Sequence, residues 1–232
     1  MRKYYLIILL VLILISACGG PRIKLFSDAT EPLKEFTLEG RGSDKILLIP
    51  MHGMITDTPK ERILAQSQSV VEKVVSQLNK AEKDDHIKAV LFEINSPGGT
   101  ITASDILYHE ISAFKERTGK KIVVSMMDLA TSGAYYVALP ADLITAHPTT
   151  VTGSVGVIFL QPKVMSLMEK IGLRVDVEKF GKDKDMGTPL RESTEEEKRY
   201  LQKLVDDMGG RFISLVQKHR KPDQQASAEI YT

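Results

Sequence analysis

Ser132 and the glycines around it are the residues of this sequence best suited to nucleophilic chemistry. In DLATSGAYYVALPAD, residues 128–142, Ser132 stands where the strand-like run KIVVSMM gives way to an Ala-rich helix start. Its neighbours Gly133 and Ala134 are small, so the backbone can pack tightly and leave a hydroxyl exposed. A serine before a helix is most often an N-cap. A serine at a strained turn can instead be a nucleophile, and then something must take its proton. INSPGGT, residues 94–100, places Gly98 and Gly99 just before a second helix. Free N–H groups there can hold an anion or a developing oxyanion. TVTGSVGV, residues 150–157, sets Gly153 and Gly156 around Ser154, and a bulged strand is the plainer account of it.

The base is the open question. The five histidines are scattered, and none has metal-ligand spacing to another His or to Cys. His147, at the end of the strand-like DLITA, is the best placed of them. A carboxylate would make an unusual Ser–Asp pair. A lysine works only as the free amine. Burial must then bring it down from a reference near 10.4, at a cost of about 4 kcal/mol. Lys179, Lys182 and Lys184, in VEKFGKDKDMGTPLRESTEEE, lie near a strand end and are the lysines to consider.

These loops need a scaffold, and the sequence alternates strand and helix signals. KILLIPMHGMI (45–55), KAVLFEI (88–94), KIVVSMM, DLITA and residues 174–179 read as strands. Residues 63–84 and 102–119 have helical apolar spacing, the second ending at Gly119. Shorter helices follow Ser132 and span 163–171. The last helix opens at Ser193 or Thr194 with Glu196 and Glu197 three residues on, a capping-box pattern. Gly209-Gly210 inside it implies close packing or a kink. Repeated βα units predict an α/β domain with a largely parallel sheet, whose sites lie at the carboxyl ends of strands.

The chain has 232 residues, 43% hydrophobic and 26% charged, enough for one sizeable core. A net charge of +1, with no basic block carrying interleaved aromatics, gives no reason to expect nucleic acid. The single cysteine, Cys18, ends MRKYYLIILLVLILISAC. Arg2 and Lys3 precede an uncharged run from Tyr4 to Ala17, shorter than the roughly 20 residues of a membrane span. Ile15-Ser16-Ala17-Cys18 has the residue types of a lipobox, so lipidation at Cys18 is preferred to an uncleaved anchor. The expected organisation is a signal segment over 1–18, a tether over 19–43 and a folded domain over 44–232. That domain faces away from the cytoplasm.

EINSPGGT, ATSGAYYVALPAD, TVTGSVGVI and FGKDKDMGTPLRESTEEEKRYLQ occur in one order. In that order and spacing the chain resembles the bacterial signal peptide peptidase A family of serine peptidases, over roughly residues 45–232. The resemblance implies a fold like those of the Clp protease proteolytic subunit and crotonase. It implies a Ser–Lys dyad of Ser132 and Lys184, with Ser154 orienting the lysine and the amides of Gly99 and Gly133 forming an oxyanion hole. It implies no metal or other cofactor. Homo-oligomeric rings are expected, with Ser and Lys of one site from different protomers, acting on apolar extended peptides such as released signal peptides.

The chain departs from the family pattern at Asp183, where an aromatic residue often precedes the lysine. A carboxylate beside Lys184 favours the ammonium, the wrong direction for a base, unless adjacent side chains point apart. The ending SAEIYT looks like the start of a segment that usually runs on, which implies a fragment or a shortened chain. The rival functions are an inactive binding or scaffold lipoprotein of the same fold and a membrane-protein quality-control peptidase.

Overall fold

The computed structural model describes residues 33–62 and 65–220. The chain divides into two units, Phe36–Pro59 with Gln68–Thr232, and Met1–Glu35 with Lys60–Ser67. In the smaller unit the described structure includes an antiparallel hairpin of β2 (Lys60–Arg62) and β3 (Ala65–Ser67). The leader, Cys18 and most of the expected tether lie outside the described residues, and residues 33–44 carry no helix or strand. Among the described residues no helix is long and apolar enough to cross a membrane.

The larger unit is built on a parallel sheet. Its strands are β1 (Lys45–His52), β4 (Ile87–Ser96), β5 (Lys121–Thr131), β6 (Leu143–Ala146) and β7 (Val151–Gly153). The order is β1-β4-β5-β6, and β7 pairs with the far end of β5. Helices α1 (Val70–Glu82) and α2 (Ile101–Thr118) supply the crossovers, as parallel pairing requires. Side chains alternate along a strand, so Val90, Phe92 and Ile94 point to one face of β4, and all three are fully buried. Ile122, Val124 and Met126 do the same on β5. Leu78 of α1 and Leu107, Ile111 and Phe114 of α2 complete the core. Each such side chain contributes about 1.5–3 kcal/mol through burial.

Capping sets the helix limits. The expected helix over 63–84 begins only at Val70. Ser69 accepts from the Glu72 amide, and the Glu72 carboxylate accepts from the Ser69 amide. This reciprocal pair fixes the start, and the residues before it form the hairpin instead. Helix α2 ends at Gly119, whose φ of 66° is left-handed and suits glycine. After Ser132 come α3 (Gly133–Ala138) and, later, α4 (Met165–Lys170) and α5 (Glu195–Arg220). Thr194 and Glu197 form a second capping box at the start of α5.

Two expectations are corrected here. Residues 174–179 form no strand, although LRVDVEKF alternates in a strand-like way. Among the described residues no strand pairs with them, and Val175, Val177 and Phe180 stand exposed. Helix α5 runs unbroken through Gly209-Gly210, and a Cβ on either glycine would meet open space. Close packing among the described residues therefore does not account for that pair.

Candidate active site

The carboxyl ends of β4 and β5 bring the SPGG and TSG loops together. Ser132 follows β5 with φ 52° and ψ −122°, a conformation that costs an L-residue about 1–3 kcal/mol. The surroundings impose it. The Ser132 amide donates to the Gly153 carbonyl at 2.9 Å, and the Ser132 carbonyl accepts from the Tyr136 amide at 3.0 Å. Thr131 Oγ1 donates to the Pro97 carbonyl and clips the two loops together. The Ser132 side chain makes no capping hydrogen bond. Its hydroxyl is therefore not a helix cap.

The glycines are required by contact. A Cβ on Gly99 would lie 1.9 Å from the Ile55 carbonyl oxygen. One on Gly133 would lie 2.2 Å from Ser104 Oγ and 3.2 Å from the Gly99 nitrogen. The Gly99 and Gly133 amides thus stand close to each other. Among the described residues neither N–H has an acceptor. Ser132, Gly99 and Gly133 all line one cleft of about 240 Å³. Two donors without acceptors beside a strained serine match the need of a tetrahedral oxyanion. Gly99→Ala is expected to lower kcat by about 10²–10³-fold, because the loop must shift away from Ile55 and carry its amide with it. Peptide hydrolysis by the purified variant checks this, and near-native kcat would remove Gly99 from the site.

Ser154 lies next to this cluster. Thr131 pairs with Gly153 across β5 and β7, so Ser132 and Ser154 follow directly on paired residues. Both have φ of 52°. Lys184 is placed differently. It sits exposed in a turn closed by its amide on the Gly181 carbonyl, and it does not line the cleft. The other two lysines each have an ion-pair partner. Lys179 pairs with Asp185, and Lys182 pairs with Glu196 at 2.6 Å, a hydrogen bond that raises its pKa. Among the described residues the Lys184 ammonium has no hydrogen-bond or ion-pair partner, and neither has the Asp183 carboxylate. His147 is exposed and bonds Thr149, away from the cleft lining.

The turn around Lys184 is anchored to α5. Arg191 bridges Asp185 and Glu197. Its hydrogen bond, with the Thr194 amide second, holds the Glu197 carboxyl down to about 2. Asp185 lies well below the usual carboxylate range because it accepts from Arg191 and Lys179.

Residues that sequence reasoning missed complete the cleft. Asp105 comes from α2, Tyr136 from α3, and Met208, Arg211 and Phe212 from α5. Tyr136 Oη donates to Asp105 Oδ1 at 2.7 Å, and Arg211 reaches both groups. Burial pushes the Tyr136 hydroxyl up to about 12, so it stays protonated. Burial works to raise Asp105, but the Tyr136 and Arg211 hydrogen bonds outweigh it and keep the carboxyl low. Arg220 donates to the Ala138 and Leu139 carbonyls at the end of α3 and so anchors the helix that follows Ser132.

A family model described as peptidase family S49 matches residues 114–232, which include both Ser132 and Lys184.

The chain belongs to peptidase family S49.

A second model, described as Clp protease, matches residues 59–153, and the parallel βα body of this S49 peptidase is of that Clp protease-like class. A protein of Methanocaldococcus jannaschii named for a protease is 35% identical over 223 residues, 95% of this chain and 70% of that one. One of Enterococcus faecium named for the signal peptide peptidase SppA is 33% identical over 207 residues, 89% of this chain and 60% of that one. The chloroplastic serine protease SPPA of Arabidopsis thaliana is 33% identical over 141 residues, 61% of this chain and 20% of that one. By family, the chain is a serine protease.

Proposed function

We propose that this S49 peptidase is a membrane-tethered, extracytoplasmic endopeptidase that cuts apolar extended peptides with a Ser132–Lys184 dyad. The observation that carries the proposal is the strained, uncapped Ser132 beside two amides without acceptors. In this mechanism Ser132 Oγ attacks the peptide carbonyl carbon while its proton passes to the Lys184 amine. The Gly99 and Gly133 amides bear the charge on oxygen. Collapse breaks the C–N bond, and Lys184 returns the proton to the leaving amine. Water then attacks the acyl-serine ester by the same proton route. Ser154 holds the lysine in line.

Lys184 reaches the serine of a second copy. Three observations support this. Lys184 does not line its own cleft, its ammonium has no partner among the described residues, and the segment leading to it exposes Val175, Val177 and Phe180. Ile158, Phe159, Leu160, Val175, Val177 and Phe180 would be costly to leave in water. A neighbouring strand edge gives residues 174–179 the partner they lack. A ring of copies follows from repeating one such head-to-tail contact.

Released signal peptides suit the site as substrates, being apolar, and the E. faecium relative carries that activity in its name. The tether is the lipidated Cys18, and mass spectrometry finding an unmodified Cys18 in an uncleaved chain would replace it with a simple anchor. A fluorophosphonate serine probe tests the activity. Labelling at Ser132 together with cleavage of apolar peptides is expected. Absence of both would leave the scaffold alternative.

A further inference from the structure

The cleft beside Ser132 carries a polar wall that the peptidase reading does not use. Asp105, Tyr136 and Arg211 come from three different helices and meet there, while Ile101, Val157, Met208 and Phe212 give the cleft its apolar lining, with the Thr102 and Ser104 side chains also on its wall. Arg211 Nη2 donates to Asp105 Oδ1 at 2.8 Å, and Tyr136 Oη donates to the same oxygen. Arg211 Nε donates to Tyr136 Oη at 3.2 Å, and His109 Nε2 lies 3.0 Å from Arg211 Nη2. All these bonds use one carboxylate oxygen and two of the three guanidinium nitrogens. Among the described residues Asp105 Oδ2 and Arg211 Nη1 have no hydrogen-bond partner.

The pair therefore keeps one carboxylate oxygen and one guanidinium nitrogen, with its two N–H donors, unspent, and its two charges offset each other. A cationic or anionic side chain gains little from a neutral pair. A primary amide offers a carbonyl acceptor and an N–H donor on one flat group, the complement of what Arg211 and Asp105 leave open. An acylated Ser132, with its oxyanion at Gly99 and Gly133, brings the side chain of the residue just before the cut bond to this cleft. The apolar part of the lining suits the stem of that side chain.

We infer that Asp105 and Arg211, set in place by Tyr136, are specificity-determining residues: the pocket accepts glutamine before the cut bond nearly as well as leucine, and rejects glutamate and lysine. This rests on Ser132 being the nucleophile.

The test is a set of peptides that differ only at that residue, carrying Leu, Gln, Glu or Lys. In the native protein kcat/KM for Gln is expected within about tenfold of Leu, with Glu and Lys more than about tenfold below Gln. Arg211→Met removes the spare donor and is expected to lower the Gln/Leu ratio by about tenfold or more. The ratio is read within one protein, so an overall loss of activity cancels. A native Gln/Leu ratio below one-tenth overturns the inference without any variant, and so does a ratio unmoved by Arg211→Met. Binding of the same peptides to Ser132→Ala reads the preference separately from catalysis. A Gln preference there, with no hydrolysis by the native protein, would sink the peptidase reading and leave the pocket standing. Leu bound more than tenfold tighter than Gln would sink the pocket.

Discussion

Ser132→Ala is expected to lower peptide hydrolysis by about four orders of magnitude or more while the protein still folds. The substitution removes one oxygen that makes no capping hydrogen bond, so little packing is lost. A serine that only capped α3 would behave differently. Its loss would cost about 1 kcal/mol of stability and leave turnover measurable. The strain adds a second arm. Ser132 holds φ at 52°, which glycine adopts at no steric cost. Ser132→Gly should be equally inactive, yet more stable than Ser132→Ala by about 1 kcal/mol. Thermal melts and kcat/KM on one peptide check both arms. Near-native turnover in folded Ser132→Ala would end the nucleophile assignment.

Lys184→Met is expected to inactivate to a similar degree. Methionine keeps an apolar stem of comparable length but accepts no proton. Lys184 is exposed in its own chain, so the fold should not suffer. Lys184→Arg should also fail, because guanidinium stays charged. Lys182→Met is the control. It removes only an exposed surface pair with Glu196 and should keep most activity. The sign of the pH dependence follows from the chemistry. Only the free amine can take the serine proton, so the rate should climb toward alkaline pH. Asp183→Tyr reports on the neighbouring carboxylate. If that group favours the ammonium in the assembled site, its removal moves the rising limb to lower pH. An unmoved limb means that the carboxylate faces away. Full activity in Lys184→Met would transfer the role of base to Lys182 or His147.

Much of this fold could be read from local signals because local physics decides it. Gly119 ends α2 through its left-handed φ, and Thr194 starts α5 through a capping box. The strands β4 and β5 alternate cleanly, since one face of each packs on helices. The start of α1 was also legible. Ser69 and Glu72 spell a capping box, but the apolar residues upstream masked it. Residues 174–179 show the converse. Their alternation is genuine, but a strand needs a partner, and the described residues supply none.

The candidate site divides in the same way. Ser132, Gly98 and Gly99 announce themselves by composition, because only small residues fit where backbones nearly touch. The polar wall does not. Asp105 meets Tyr136 across 31 residues of sequence and Arg211 across 106, and nothing local marks any of the three. Lys184 could be singled out by chemistry and resemblance, but it does not line the cleft of its own chain. A sequence pattern carries no information about which copy of the chain supplies a side chain.

Mixing two inactive variants addresses the central claim most directly. Folded Ser132→Ala retains Lys184, and folded Lys184→Met retains Ser132. If one copy supplies the nucleophile and its neighbour the base, some sites in a reassembled mixture contain both native residues. Hydrolysis should then rise from background to a sizeable fraction of native turnover, greatest near equal proportions. The recovered activity should be lost again when the native serines are labelled with fluorophosphonate. A mixture that exchanges subunits, followed by their mass difference, yet stays as inactive as either variant alone would contradict a Ser132–Lys184 site shared between copies.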